Sequence, residues 1–134
     1  MGSKISFQVV LETSMDEAIA AFTEALKTEG FGVITRIDNH KVFKEKLGVD
    51  FRPYVILGIC NPKLAYDVLN INPSVGLFLP CKATVEEVSD GVLISVVDPE
   101  VVLAAGNFKQ DEIVKVFAPE AKERLLRVME LLRG

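Results

Sequence analysis

The chain lacks several features by which function is commonly recognised. Its 134 residues include no tryptophan, one histidine and two cysteines. Lysine and arginine form no run, and the net charge is −4. We therefore expect no nucleic-acid partner, because affinity for nucleic acid comes mainly from basic groups that neutralise phosphates. No stretch approaches the roughly 20 apolar residues of a membrane-spanning helix, so we expect no membrane partner either.

We also expect no secretory signal peptide. The segment Met1-Gly2-Ser3-Lys4-Ile5-Ser6-Phe7 has no uninterrupted apolar core of the kind found in signal peptides. The expected location is the cytoplasm. Two cysteines in that compartment are normally thiols and not a disulfide.

What the chain has in surplus is apolar residues. They make up 49% of the sequence without glycine, whereas a soluble domain reaches roughly 45–50% with its glycines counted. A single domain over residues 1–134 is the expected organisation, because that length suits one core. Monomers rarely expose large apolar patches, so the surplus predicts a homodimer with two-fold symmetry.

The periodicity of apolar residues predicts the element order β-α-β-α-β-α-β-β-α. Alternation predicts strands over 4–11 and 31–37, and an entirely apolar run predicts a central strand over 54–59. A hairpin is predicted at Ser89-Asp90-Gly91, and Glu86-Glu87 breaks the alternation before it, which indicates a bulge. This order favours an α+β fold whose sheet is mixed or antiparallel.

Helix signals are local and clear. Ser14 and Glu17 have capping-box spacing, Gly30 is a typical helix stop, and a short helix is expected from Asp38 or Asn39 to Leu47. Helical turns are also predicted over 63–69 and over 101–105, the latter closed by Gly106-Asn107. The last helix is expected to begin at Asp111. Pro119 interrupts its apolar stripe, which predicts a kink or two helices that meet at Ala118.

Two short phrases contain the cysteines, Cys60-Asn61-Pro62 and Leu79-Pro80-Cys81. Asn61 followed by proline is a helix start, and that role alone explains both residues. Cys60 would then lie at the carboxyl end of a strand beside a helix amino terminus, where a thiolate is favoured. Buried cysteines nevertheless act more often as small apolar residues.

The segment Arg36 to His40 is the second candidate region. His40 is the natural proton-transfer residue of the chain, although a lone histidine near a helix start is more often a capping or surface residue. A metal site formed by Cys60, Cys81 and His40 would need a three-way coincidence in space. Spacing identifies no catalytic triad, phosphate loop or carboxylate pair. No metal ligands, catalytic residues or cofactor are therefore assigned.

Several phrases in fixed order resemble a known family. They include Gly30-Phe31-Gly32-Val33-Ile34-Thr35, Arg52-Pro53-Tyr54, Leu57-Gly58-Ile59-Cys60-Asn61-Pro62, the segment from Pro73 to Cys81, and Asp98-Pro99. The chain is similar over about residues 5–130 to the proteins grouped as domain of unknown function 302. The resemblance implies a TATA-binding-protein-like fold, with a curved, mostly antiparallel sheet that carries helices, and a dimer. It implies no established activity.

Two functions are expected from these observations. The first is a homodimeric module that binds a small ligand or ion in a cleft formed by Cys60, Asn61, Cys81, Arg36, Asp38 and His40. The alternative is a thiol-dependent protein that uses Cys60 and Cys81 for redox chemistry, sulfur transfer or metal binding, which requires a lowered thiol pKa at Cys60. A third reading is a structural or partner-binding protein without a ligand.

Overall fold

A computed structural model of the chain describes residues 5–106, 108 and 113–134. In these residues five strands form one open antiparallel sheet in the order β1-β5-β4-β3-β2. The strands are β1 (Ser6–Leu11), β2 (Gly32–Asp38), β3 (Tyr54–Cys60), β4 (Cys81–Val88) and β5 (Gly91–Val97). The predicted α+β class and antiparallel sheet are confirmed.

Within the described residues, five α-helices connect and cover these strands. They are α1 (Met15–Lys27), α2 (Asn39–Leu47), α3 (Pro62–Ile71), α4 (Pro99–Ala105) and α5 (Ala118–Arg133). A 3₁₀ helix (Pro73–Phe78) follows α3, and a π-helical turn (Ile113–Phe117) precedes α5. The predicted order of helices and strands is confirmed from β1 to β5. After β5 the structure has two α-helices, α4 and α5, whereas the predicted order had one. The predicted stop at Gly106 is confirmed, since Gly106 caps α4, whereas Asn107 and the expected helix start at Asp111 lie outside the described residues.

The main core lies between one face of the sheet and helices α1 and α5. Inward side chains of the three interior strands, such as Leu57, Val85 and Ile94, are fully buried there. Helix α1 contributes Phe22 and Leu26 from its apolar stripe. Its first turn is capped by Ser14, whose side chain accepts a hydrogen bond from the Glu17 amide. Local capping and stripe spacing thus orient the helix that covers the sheet.

A second, smaller apolar cluster lies at one end of the sheet. Its buried members come from α3, the 3₁₀ helix, α4, the π-helical turn and the start of α5, and they include Val68, Val75, Leu103 and Phe117. Phe78 and Phe108 make an edge-to-face contact beside it, with ring centroids 5.8 Å apart. This cluster joins the connecting segments to one another, and it borders the candidate site described below.

Three details of the sheet differ from expectation. An extra residue at Ile34 makes a bulge in β2, because Val33 lies opposite Ile59 while Thr35 lies opposite Gly58. The predicted alternation of β2 therefore fails after Val33, and Ile37 is 47% exposed. The bulge expected at Glu86-Glu87 is wrong, since β4 and β5 pair there without a register shift. Strand β3 is interior, as expected, but β4 is the central strand.

The interruption expected near Pro119 is confirmed. The π-helical turn ends at Phe117 and α5 begins at Ala118, so the proline lies in the first turn of a new helix. A proline is tolerated there, because its missing amide proton would have no helical acceptor. Among the described residues, no helix has the length and apolar character needed to cross a bilayer.

Candidate functional site

Antiparallel pairing of β3 and β4 brings the two cysteines together. Cys81, the first residue of β4, lies opposite Ile59, and Cys60 is the next residue of β3. Both cysteines line one narrow apolar hollow of about 20 Å³, together with residues such as Leu64 and Ala121. Two phrases that are 21 positions apart in the sequence therefore meet at one end of the sheet.

The electrostatics of this corner oppose thiolate formation. Burial raises the pKa of the Cys60 thiol above its usual value. Burial, reinforced by the nearby Cys60, raises the pKa of Cys81 to about 11. Both thiols are therefore protonated near neutral pH. This direction is opposite to the one that thiol-dependent chemistry requires, because the thiolate is the reactive form.

Asn61 is a structural residue of the same corner. Its Oδ1 accepts a hydrogen bond from the Leu64 amide at 3.2 Å, which caps α3. Its Nδ2 donates to the Glu29 carbonyl at 3.1 Å, which ties the start of α3 to the end of α1. Gly30 permits this contact, because a Cβ there would lie 3.0 Å from Asn61 Nδ2. Both ends of the amide are thus engaged, and Asn61 serves as the predicted cap.

The structure does not bring Arg36, Asp38 and His40 to the cysteines. Asp38 lies opposite Val55 at the start of β3, whereas Gly32 lies opposite Cys60 at its end. A strand of this length spans roughly 20 Å. The cleft expected to join all six residues is therefore two separate regions.

Within the second region, the side chains of Arg36, Asp38 and His40 already have partners, whereas the buried Asn39 Oδ1 has none among the described residues. The guanidinium of Arg36 donates to both carboxylate oxygens of Asp38, at 2.7 and 3.2 Å. This contact lowers the pKa of Asp38. The Tyr54 amide donates to His40 Nδ1 at 3.0 Å, so the ring fastens α2 to the start of β3. These contacts are structural, and the surface around them is an open depression that also includes Asp16, Lys41 and Glu87.

A larger cavity, which the sequence did not indicate, lies on the other side of the Leu79-Pro80-Cys81 segment. Its volume is about 210 Å³. The 3₁₀ helix, α4 and the π-helical turn supply most of its wall, and Lys82 lies at its edge. Apolar residues that line it include Leu77, Phe78, Val102, Leu103 and Phe117.

Leu79, Pro80 and Cys81 separate this cavity from the narrow hollow and line both. The Leu79-Pro80 peptide bond is cis. Pro80 packs over Gly58 of β3, where a Cβ would overlap Thr35 Oγ1 and approach Pro80 Cγ to 2.8 Å. Because Gly58 has no side chain, the Leu79-Pro80-Cys81 segment can pack against β3 at this position. The Leu79-Pro80-Cys81 segment, one of the two cysteine-containing segments singled out in the sequence, therefore forms a wall shared by the cavity and the narrow hollow.

The site offers no metal centre in the part of the chain that the structure describes. No three histidine, cysteine, aspartate or glutamate side chains in those residues are grouped as a cation requires. The site is best described as an apolar cavity with one thiol and one lysine at its boundary, in a small α+β protein.

Comparison with known proteins agrees with that description. The family model for "Domain of unknown function DUF302" matches residues 7–132. A crystal structure of an uncharacterized conserved DUF302 protein from Bacillus stearothermophilus is similar, with 35% sequence identity and a TM-score of 0.85. The match covers 96% of this chain and 98% of that one. Among curated proteins, none matches the chain.

The chain belongs to the DUF302 family. The resemblance noted from its sequence phrases is therefore confirmed over nearly the whole chain. Neither the family description nor the related structure specifies an activity, so any function must be argued from the site.

Proposed function

We propose that this protein is a non-enzymatic, homodimeric module of the cytoplasm that binds a small ligand with a mainly apolar body. The cavity beside the Leu79-Pro80-Cys81 segment is the observation that carries the proposal. Ligand sites are concave and mainly apolar, with few polar groups at their boundary. The wall described above has this character, and Lys82 is the one charged residue among the described residues that line it.

The size of the cavity supports a ligand of about one ring. An engineered apolar cavity of about 150 Å³ stays dry and binds benzene. The present cavity, at about 210 Å³, is larger. A compact molecule with roughly 8 to 12 non-hydrogen atoms is therefore a reasonable occupant.

The thiol-dependent alternative has no support from the site. It requires a thiolate, and burial raises the pKa of both cysteines. The cysteines instead contribute small apolar wall atoms. Two free thiols are consistent with the proposed reducing location.

The dimer is supported by a group of exposed apolar side chains in β2, α2 and the segment that follows α2. We call this set the β2–α2 apolar surface. Helix α2 contributes no buried residue to the monomer, and β2 is an edge strand with an unpaired side. A second copy of the chain is proposed to cover this surface, which comprises Ile34, Ile37, Val42, Leu47, Val49 and Phe51.

The binding proposal can be tested with the neutral probe 3-phenylpropan-1-ol and a pair of adjacent substitutions. Val102 lines the cavity, and Val102→Phe fills it. Val101 is the neighbouring residue of α4 and is 37% exposed, so Val101→Phe is the matched control. A saturating probe is expected to raise the Tm of wild type and Val101→Phe by several degrees, because a ligand that binds only the folded state stabilises it.

Val102→Phe is expected to fold and to lose that rise. Val102→Leu is a smaller change that should reduce the rise in Tm. It replaces Val102→Phe in the test if the phenylalanine variant does not fold. Equal rises in wild type and both cavity variants, or no rise in wild type, would contradict a binding site at this position.

A further inference from the structure

We propose that the natural ligand is a small carboxylate whose apolar body enters the cavity and whose anionic group meets Lys82. This inference rests on the proposed binding function and specifies the chemistry of its ligand. It depends on how charge is distributed around the cavity, which differs between the inner wall and the mouth.

Among the described residues, the inner wall offers no group that could hold a charge. Phe78, Leu103 and Phe117 supply hydrocarbon, and the thiol of Cys81 is neutral because burial raises its pKa to about 11. An ion without partners is costly to bury. The charged end of any ligand must therefore stay at the boundary, where Lys82 lies.

Lys82 has a position that leaves its charge available. It is the second residue of β4, its cross-strand neighbour on β3 is Gly58, and the pairing of β4 with β5 begins one residue later, at Ala83 and Val96. Two positions further along β4 on the same face is Thr84. These neighbours supply no carboxylate. The Lys82 amine donates to the Pro80 carbonyl at 3.2 Å, and it takes part in no ion pair with another described residue.

Lys122, by contrast, is a lysine whose charge is paired with carboxylates of the chain. Lys122 Nζ lies 3.3 Å from Asp98 and 2.8 Å from Glu100. Both contacts fix the start of α4, so the charge of Lys122 is already balanced. Lys82 is the cation that remains for a ligand among the described residues that line the cavity.

Together these features match an amphipathic monoanion. The apolar wall selects a body of about one ring or a short chain, and the lysine selects a carboxylate over an alcohol of the same shape. Charge-assisted hydrogen bonds are roughly twice as strong as neutral ones, which supports a preference of about tenfold in affinity. The preference should weaken with salt, because Lys82 is exposed and its interactions are screened.

Isothermal titration with a matched pair of probes tests the inference. The probes are 3-phenylpropanoate and 3-phenylpropan-1-ol, which share the same apolar body. Wild type is expected to bind the acid about tenfold more tightly than the alcohol at low ionic strength. Lys82→Gln should reduce this ratio to about one, because it weakens binding of the acid far more than binding of the alcohol.

Lys63→Gln is the control, because Lys63 is an exposed lysine of α3 that is paired with Asp67. It should keep the tenfold ratio. If wild type binds both probes equally, or if Lys82→Gln keeps the preference, the carboxylate assignment is overturned while the cavity remains a binding site. If wild type binds neither probe, both the assignment and the proposed function are overturned.

Discussion

At the scale of the residue, the two cysteines define the chemistry that the site excludes. Sequence position alone allowed an activated thiol at Cys60, because a helix amino terminus follows it. In the folded chain burial dominates that effect, and the pKa values of both thiols are raised. Each residue therefore functions as part of an apolar wall.

The raised pKa of Cys81 predicts a loss of stability at high pH. The folded state keeps its proton up to about pH 11, whereas an unfolded cysteine loses it near pH 9. The thiol thus contributes fully to stability below pH 9 and loses its contribution as the pH rises towards 11. Cys81→Ser removes the titration with little change in size.

We expect the free energy of unfolding of wild type, relative to Cys81→Ser, to fall by about 2 kcal/mol between pH 8.5 and 11. Urea unfolding at a series of pH values measures this difference. A constant difference across that range would show that Cys81 has an ordinary pKa and is open to solvent.

Asn61 shows why some residue-scale roles could be predicted from the sequence. An Asn-Pro pair before a helical run is a local signal, and the cap bond to Leu64 follows from it. The second bond of the same side chain, to the Glu29 carbonyl, depends on how α1 and α3 meet. No local pattern indicates such a contact between distant segments.

At the scale of the element, the seating of the Leu79-Pro80-Cys81 segment on β3 depends on Gly58. A side chain at this position would collide with Thr35 and Pro80. Gly32, on the neighbouring strand, has open space where its Cβ would be. The two glycines therefore give a matched comparison of one crowded and one open position in the same sheet.

Gly58→Ala is expected to destabilise the protein by about 1–3 kcal/mol, because the segment must shift to relieve the overlap. Gly32→Ala should change the free energy of unfolding by no more than about 0.5 kcal/mol. Chemical denaturation of both variants measures the two effects. Equal, small effects would mean that the segment is not held against β3 as described.

Most helices and strands could be predicted, because their sequence signals are local. The register of β2 and the cavity beside the Leu79-Pro80-Cys81 segment could not be predicted. The β2 prediction assumed unbroken alternation, and one inserted residue at Ile34 reverses the faces beyond it. The cavity forms where the 3₁₀ helix packs beside α4, and these segments are far apart in the sequence. Their apolar residues indicate burial but not a gap between them.

The position of the Arg36 to His40 segment relative to the cysteines also could not be predicted. Its residue types suggested ligand binding or proton transfer, but the sequence does not show how far these residues lie from the cysteines. The pairing of Asp38 with Val55 places them at the far end of β3. Residue type is local information, but membership of a site depends on topology.

At the scale of the whole molecule, the proposed dimer accounts for the surplus of apolar residues. The β2–α2 apolar surface includes Leu47, which is 68% exposed in the isolated chain. Covering such a surface with a second copy removes it from water.

Sedimentation velocity at micromolar concentration is expected to show a dimer for wild type. Ile37→Lys, which places a charge within the surface, should give a folded monomer, because an unpaired charge is costly to bury at an interface. Ile71→Lys on α3 is the control, since Ile71 is similarly exposed but lies outside the surface. A monomeric wild type, or a dimer that tolerates Ile37→Lys, would contradict this interface.

The most direct test of the central claim is native mass spectrometry of the protein purified from its own host. The account predicts an additional small mass on the wild-type protein and on Val101→Phe, and its absence from Val102→Phe. An unliganded wild type, or an additional mass that persists when the cavity is filled, would contradict the claim that this cavity is the binding site.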